Sequence, residues 1–220
     1  MNIKAVIFDL DGTVVKFALD FVRARKEAIA EMGRRDIDVK DLSESLSLYS
    51  MLKIVKGRLD AEAFSNLEKF LWDILEKIEL RAADETDLQP DALQTLISIK
   101  NLGLRMAIVT NNGRKATNMV AKKFGLNDFF DVVVTREGAK ELKPDGGSIE
   151  RALEILGINS SEAIYVGDGV IDILAAEKAK VISVAIPTGV SRIDDLVKAK
   201  PDYVIGSLKD IKRLIESIGQ

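Results

Sequence analysis

The chain has 220 residues, 47% of them hydrophobic, and its 32 basic residues nearly balance 35 acidic ones for a formal net charge of −3. That length suits one sizeable domain or a domain carrying an insert, and the charge balance gives no electrostatic case for nucleic acid. With no cysteine and no histidine, the composition excludes disulfides, thiolate nucleophiles, sulfur-ligated metals, Ser-His hydrolases and the usual zinc hydrolases.

Any catalysis must draw on carboxylates, lysine, arginine, hydroxyls and backbone groups. An oxygen-only ligand set favours magnesium, ahead of manganese or calcium. No apolar stretch reaches spanning length, and the N-terminus opens as a strand without the layout of a secretory signal. Both features point to the cytoplasm and away from a membrane partner.

The first element is an apolar run, Ile3–Phe8, of strand length. It ends in Asp9-Leu10-Asp11-Gly12-Thr13. Two carboxylates one residue apart at a strand end repel each other and lose solvation. A hard cation, or a phosphate bound through one, relieves both costs. An EF-hand calcium loop is a poor match, because the third alternating oxygen residue and the terminal glutamate are missing.

Residues 16–85 follow with no strand pattern. Stretches 19–32 and 41–56 read as helices, and Phe64, Leu67, Leu71, Ile74 and Ile78 recur at helical spacing. A helical insert of this size is too long for an ordinary crossover. It is expected to form a separate lobe with hinges near Val15–Phe17 and Ala83–Leu88.

From about residue 90 helices and strands alternate. A helix over 93–102 stops at Gly103, before a strand over Leu104–Val109. A helix over Lys115–Phe124 stops at Gly125, before a short strand over Asp131–Val134. A helix over Ser148–Leu156 stops at Gly157, before the strand Ala163–Val166. A helix near Ile173–Lys178 leads to the strand Val181–Ile186. Tyr203–Ile205 reads as a last short strand, and Ser207 opens a helix with Leu208, Ile211, Leu214, Ile215 and Ile218 on one face. Repeated β-α units with continuous apolar strands imply an α/β fold, a parallel sheet covered by helices on both sides.

Ligands of such sheets bind at the carboxyl ends of the strands. Four loops there hold chemistry: Asp9–Thr13; Thr110-Asn111-Asn112-Gly113; Lys143-Pro144; and Gly167-Asp168-Gly169-Val170-Ile171-Asp172. Together they supply four carboxylates, a lysine, hydroxyls and glycine-permitted amides, an inventory suited to a magnesium-bound phosphate. Each has a plainer reading taken alone. Asp9 and Asp11 could be turn residues, Thr110 an N-cap, Asp168 and Asp172 helix caps, and Lys143 solvated surface with Lys140 as a rival.

The order DLDGT, VTNNG, a lysine before proline, then GDxxxD resembles the four motifs of the haloacid dehalogenase superfamily of phosphohydrolases, across the whole chain. The resemblance implies a Rossmann-like core formed by residues 1–15 and 86–220. It also implies a helical cap over 16–85, as in phosphoglycolate phosphatase-like members. It casts Asp9 as the nucleophile forming an aspartyl-phosphate. Asp11 becomes the general acid and base and gives its backbone carbonyl to magnesium. Asp9, Asp168 and Asp172 offer carboxylate oxygens to the ion, directly or through water. Thr110, the amide of Asn111, and Lys143 hold the phosphoryl oxygens, while Gly12 and Gly113 let the backbone approach them.

One departure is Gly169, where the family often has serine, and this removes a candidate hydrogen bond to a metal ligand. Specificity is expected to come from the helical lobe. Its basic residues Arg23, Lys26, Lys53, Lys56 and Arg58 are candidate contacts for an anionic leaving group, against a plainer reading as solvated helix surface. Trp72 and Phe70 lie off the main apolar stripe, and core burial is expected of them ahead of packing against the core domain or a second subunit. The implied partner is a small-molecule phosphate ester, handled by a monomer or homodimer. A β-phosphoglucomutase-like transfer uses the same motifs, and a non-catalytic phosphometabolite-binding module is the alternative of another class. A dehalogenase is disfavoured because such relatives lack the second aspartate that Asp11 provides.

Overall fold

The computed structural model describes residues 2–16, 18 and 21–219. Position 17 of the first expected hinge and positions 19 and 20 of the expected 19–32 helix lie outside them. The chain divides into two compact units, Met1–Ala18 with Glu85–Gln220, and Leu19–Asp84. The boundaries expected from sequence were 15/16 and 85/86.

In the first unit β1 (Ala5–Phe8), β2 (Arg105–Val109), β3 (Val132–Val134), β4 (Ala163–Gly167), β5 (Ile182–Ala185) and β6 (Tyr203–Val204) form one parallel sheet. Their spatial order is β3-β2-β1-β4-β5-β6. Chain order reverses direction between β1 and β4, and ligands of open parallel sheets settle at that reversal. The register there pairs Phe8 with Val166, and Asp9 N–H donates to the Val166 carbonyl at 2.9 Å. The acidic ends of the two strands therefore emerge side by side.

Helices α4 (Ala92–Asn101), α5 (Arg114–Phe124), α6 (Gly147–Leu156), α7 (Val170–Lys178), α8 (Ile193–Lys198) and α9 (Ile211–Ile218) complete this unit. Alternate strand residues Ala5, Ile7, Ala107, Val109, Val132, Val134, Ala163 and Tyr165 share a core cluster with Ile149, Ala152, Leu153 and Leu156 of α6 and Ala175 and Ala176 of α7. The intervening Val6, Phe8, Ile108, Ile164 and Val166 are equally buried. A sheet covered on both faces needs uninterrupted apolar strands, which is what these segments are. The short α8 escapes the sequence pattern because it buries only Leu196.

The second unit is helical. It contains α1 (Phe21–Arg34), α2 (Leu48–Val55) and most of α3 (Ala61–Glu85). The helix expected over 41–56 begins only at Leu48. Serine hydroxyls upstream compete with helical bonding: Ser43 and Ser45 bond each other, and Ser47 caps α2 by accepting from Ser50 N–H at 3.0 Å. The second hinge is also shorter than expected, since α3 continues through Glu85.

Leu67, Leu71 and Leu75 of α3 meet Ala24, Ala28 and Met32 of α1 and Met51, Leu52 and Val55 of α2 in a separate core. Phe70 and Trp72 pack against it half-buried, at its edge and not inside it. The basic residues of this unit are engaged locally: Arg23 with Glu27, Lys26 with Glu44, Arg58 with Asp41, and Lys53 and Lys56 over the rings of Tyr49 and Phe64. Among the described residues, no helix is long and apolar enough to cross a membrane.

Candidate active site

Three carboxylates that follow β1 and β4 gather around one lysine. Lys143 Nζ donates to Asp9 Oδ1 at 2.7 Å, to Asp172 Oδ1 at 2.6 Å and to the Tyr165 hydroxyl at 2.9 Å. An ammonium has three protons, so all of its donors are engaged. Lys140, its rival in sequence, is exposed and pairs with Glu154. The side chains of Lys143 and Asp172 are 2% and 3% exposed, against 12% for Asp9. Of the three carboxylates Asp9, Asp168 and Asp172, Asp9 is the most exposed.

Asp168 is wedged between two glycines. Gly12 has φ +88°, a left-handed conformation that other residues rarely adopt. A Cβ on Gly12 would lie 2.5 Å from Asp168 Oδ2, and one on Gly189 would lie 1.9 Å from it. The carboxylate is fixed by Thr13, whose hydroxyl donates to Oδ1 at 3.0 Å, and by Val190 N–H, which donates to Oδ2 at 2.9 Å. Thr188 and Gln89 hold the neighbouring Gly12 carbonyl, at 2.6 and 3.0 Å.

The second loop joins through side-chain amides. Asn112 Nδ2 donates to Asp11 Oδ2, and Asn112 N–H donates to Thr110 Oγ1 at 3.1 Å. Asn111 forms a reciprocal pair with the Lys143 backbone, accepting from its N–H at 3.0 Å and donating to its carbonyl at 2.9 Å. Its side-chain amide thus positions the lysine's main chain. Gly113 caps α5 at φ −69°, ψ 154°, a conformation open to any residue.

At Gly169 the backbone N–H donates to Asp172 Oδ2 at 2.8 Å. A Cβ there would approach that oxygen to 3.0 Å. The serine this position lacks would thus crowd a contact that the main chain already makes.

Lys143 joins Asp9 and Asp172 by hydrogen bonds, and Asp168 offers an oxygen within 4.8 Å of theirs. Asn112 bridges Asp11 and Thr110, Asn111 bonds the Lys143 main chain, and Gly12 lies against Asp168. Sequence reading passed over Gln89, Tyr165, Thr188, Gly189 and Val190, and it named Thr13 and Asn112 within their loops without giving either a contact. Tyr165 carried a signal, a hydroxyl within an otherwise aliphatic strand. The loop after β5 carried none beyond its position at a strand end.

Burial raises the Asp9 carboxyl well above the usual range. The Lys143 ammonium opposes that shift, and Asp172 and Asp168 add to it. Burial, then Asp172, raises Asp168 to about 6. Burial works against the Lys143 ammonium, but Asp172 and Asp9 outweigh it and hold its pKa well above 10.5. Burial, reinforced by Asp172, keeps the Tyr165 phenol neutral.

Asp9, Asp168 and Asp172 each offer an oxygen within 4.8 Å of the others. Three carboxylates facing one ammonium leave an excess of negative charge in a buried place. The donors are all oxygen, so the set fits a hard divalent cation. Asp172 is the most engaged of the three, its Oδ1 accepting from Lys143 and Tyr165 and its Oδ2 from Gly169.

Residues 6–186 match the model of the haloacid dehalogenase-like hydrolases, and the chain belongs to that family. It is an enzyme of the family's phosphatase type. It is 31% identical to a protein of Caldanaerobacter subterraneus subsp. tengcongensis named "Putative pyrophosphatase PpaX", over 98% of this chain and 96% of that one. It is 30% identical to the phosphoglycolate phosphatase of Neisseria meningitidis, over 96% and 92%. The crystal structure of a hydrolase from Pseudomonas syringae aligns with a TM-score of 0.72 at 25% identity, covering 97% of this chain and 98% of that one.

Proposed function

We propose that this chain is a magnesium-dependent phosphatase that hydrolyses a small phosphomonoester through an aspartyl-phosphate on Asp9. The observation that carries the reading is the partly accessible Asp9 carboxylate, bonded to the buried Lys143 ammonium beside Asp168 and Asp172. Asp9 attacks phosphorus, forming a carboxylate O–P bond as the ester P–O bond breaks. Asp11 gives its proton to the leaving alcohol. Asp11 then takes a proton from water, whose oxygen forms the new bond to phosphorus as the Asp9–phosphate bond breaks.

Asn112 holds the Asp11 carboxyl for both transfers. The positive charge of Lys143 offsets repulsion between Asp9 and the phosphate dianion. Its donors are fully engaged, so any bond to a phosphoryl oxygen requires one present partner to be released. Thr110 and the Asn111 amide are the remaining candidates for holding phosphoryl oxygens.

The carboxylates of Asp9 and Asp168 and the Asp11 carbonyl would hold magnesium, with Asp172 through water. The ion would supply charge neutralisation between carboxylate and phosphate. Leu19–Asp84 is proposed as the cap that sets specificity, and the cytoplasm as the location.

Two relatives carry names for different substrates, phosphoglycolate and pyrophosphate. The test is a panel of phosphate esters including both compounds, with magnesium and with chelator, on the wild type and Asp9→Asn. Turnover of monoesters should need magnesium and fall at least 10³-fold in the variant, about 4 kcal/mol in barrier. A variant within tenfold of wild type would remove Asp9 as nucleophile.

A further inference from the structure

We infer that Tyr165 is a positioning residue, whose hydroxyl holds the Lys143 ammonium against Asp9. This rests on the reading of Asp9 as nucleophile. Tyr165 belongs to β4, and its ring is buried among aliphatic residues of the sheet and of α6 and α7. A phenylalanine would fill that space equally well. What the hydroxyl adds is a closed triangle: Lys143 Nζ donates to it at 2.9 Å, it donates to Asp172 Oδ1 at 3.0 Å, and Lys143 donates to the same oxygen at 2.6 Å. The Val109 carbonyl, at the end of β2, lies 3.4 Å from the hydroxyl.

The triangle answers a problem that a lone ion pair does not. Lys143 reaches the site on a flexible four-carbon stem, and Asp172 alone would draw its ammonium away from Asp9. With one proton directed to Tyr165 and one to Asp172, the third is aimed at Asp9 Oδ1. In a buried place an ammonium proton without an acceptor is costly. Loss of the hydroxyl should therefore re-aim the lysine as a whole.

The test compares wild type, Tyr165→Phe, Tyr165→4-aminophenylalanine, Ile149→Ala and Asp9→Asn on p-nitrophenyl phosphate with magnesium. Melting is recorded for each. Ile149 shares the core cluster of Tyr165 and makes none of the triangle's bonds, so it reports the effect of lost packing alone.

Tyr165→Phe should lower kcat ten- to a hundredfold while KM moves less than threefold. Ile149→Ala should lower the melting temperature and leave kcat within twofold. The 4-aminophenylalanine variant has the same bulk and restores a polar tip, so it should recover at least tenfold of any larger loss. It also stands in if the phenylalanine variant does not fold. A Tyr165→Phe kcat within twofold of wild type, or a loss that the amino group does not recover, overturns the inference. Asp9→Asn separates the two levels, because retained activity there refutes the nucleophile itself, whatever Tyr165 does.

Discussion

Gly189→Ala offers the sharpest test of how Asp168 is held. The new methyl would lie 1.9 Å from Asp168 Oδ2, 2.4 Å from Cγ and 2.9 Å from the Gly12 Cα, whereas carbon contacts settle at about 3.5–4.0 Å. The carboxylate could escape only by rotating away from the Thr13 hydroxyl and Val190 N–H. The Gly12 main chain is held at its carbonyl by Thr188 and Gln89. Each hydrogen bond to a charged group is worth about 1.5–3 kcal/mol, so loss of both costs about 3–6 kcal/mol before water replaces either. A net loss of ~3 kcal/mol corresponds to about 6–12 °C in a chain of this size.

The assay is thermal and urea unfolding with and without magnesium, plus the magnesium dependence of turnover. The half-saturating magnesium concentration should rise at least tenfold. Gly33→Ala serves as control. It sits within α1 with nothing within 4 Å of the added methyl, and it should stabilise by about 0.4–1 kcal/mol. A Gly189→Ala protein with wild-type melting and unchanged magnesium dependence would refute the reasoning.

Lys143→Met should remove at least 10²-fold of kcat and destabilise by about 3–5 kcal/mol, because two buried carboxylates lose their counter-charge. Lys140→Ala, by contrast, should leave kcat within twofold and stability within about 0.5 kcal/mol; steady-state kinetics and urea unfolding decide both. The metal-free protein should grow less stable as pH rises from about 4 to about 6. Asp168 titrates near 6 when folded and near 3.8 when unfolded, so the folded state holds a proton that the unfolded state releases in that window. The contribution is on the order of 3 kcal/mol, with the raised Asp9 acting in the same direction. Urea titrations in chelator on wild type and Asp168→Asn measure it: the stability of wild type relative to the variant should fall across that window, and a wild-type advantage that grows with pH would reverse the assignment.

Local pattern determined much of this protein. The apolar strands and glycine-stopped helices specify a parallel α/β sheet because a strand buried on both faces cannot carry polar residues without cost. The acidic residues after β1 and β4 stand out for the same reason. Composition alone confined the chemistry to carboxylates, hydroxyls, lysine, arginine and backbone groups. The serine-rich stretch before α2 misled the helical reading, since hydroxyls that cap a helix and hydroxyls within one look alike along a sequence.

Only the tertiary structure decided which groups meet. Lys140 and Lys143 are three residues apart and chemically identical, yet one pairs with Glu154 at the surface and the other lies between Asp9 and Asp172. Tyr165 reads as core until strand pairing brings its hydroxyl to the lysine. Gly189, Thr188 and Gln89 gain meaning only where the β5 loop folds onto Asp168 and Gly12. Electrostatic and hydrogen-bonding roles depend on separations of about 3 Å. Contacts between residues more than a hundred positions apart leave no period in the chain for a local pattern to register.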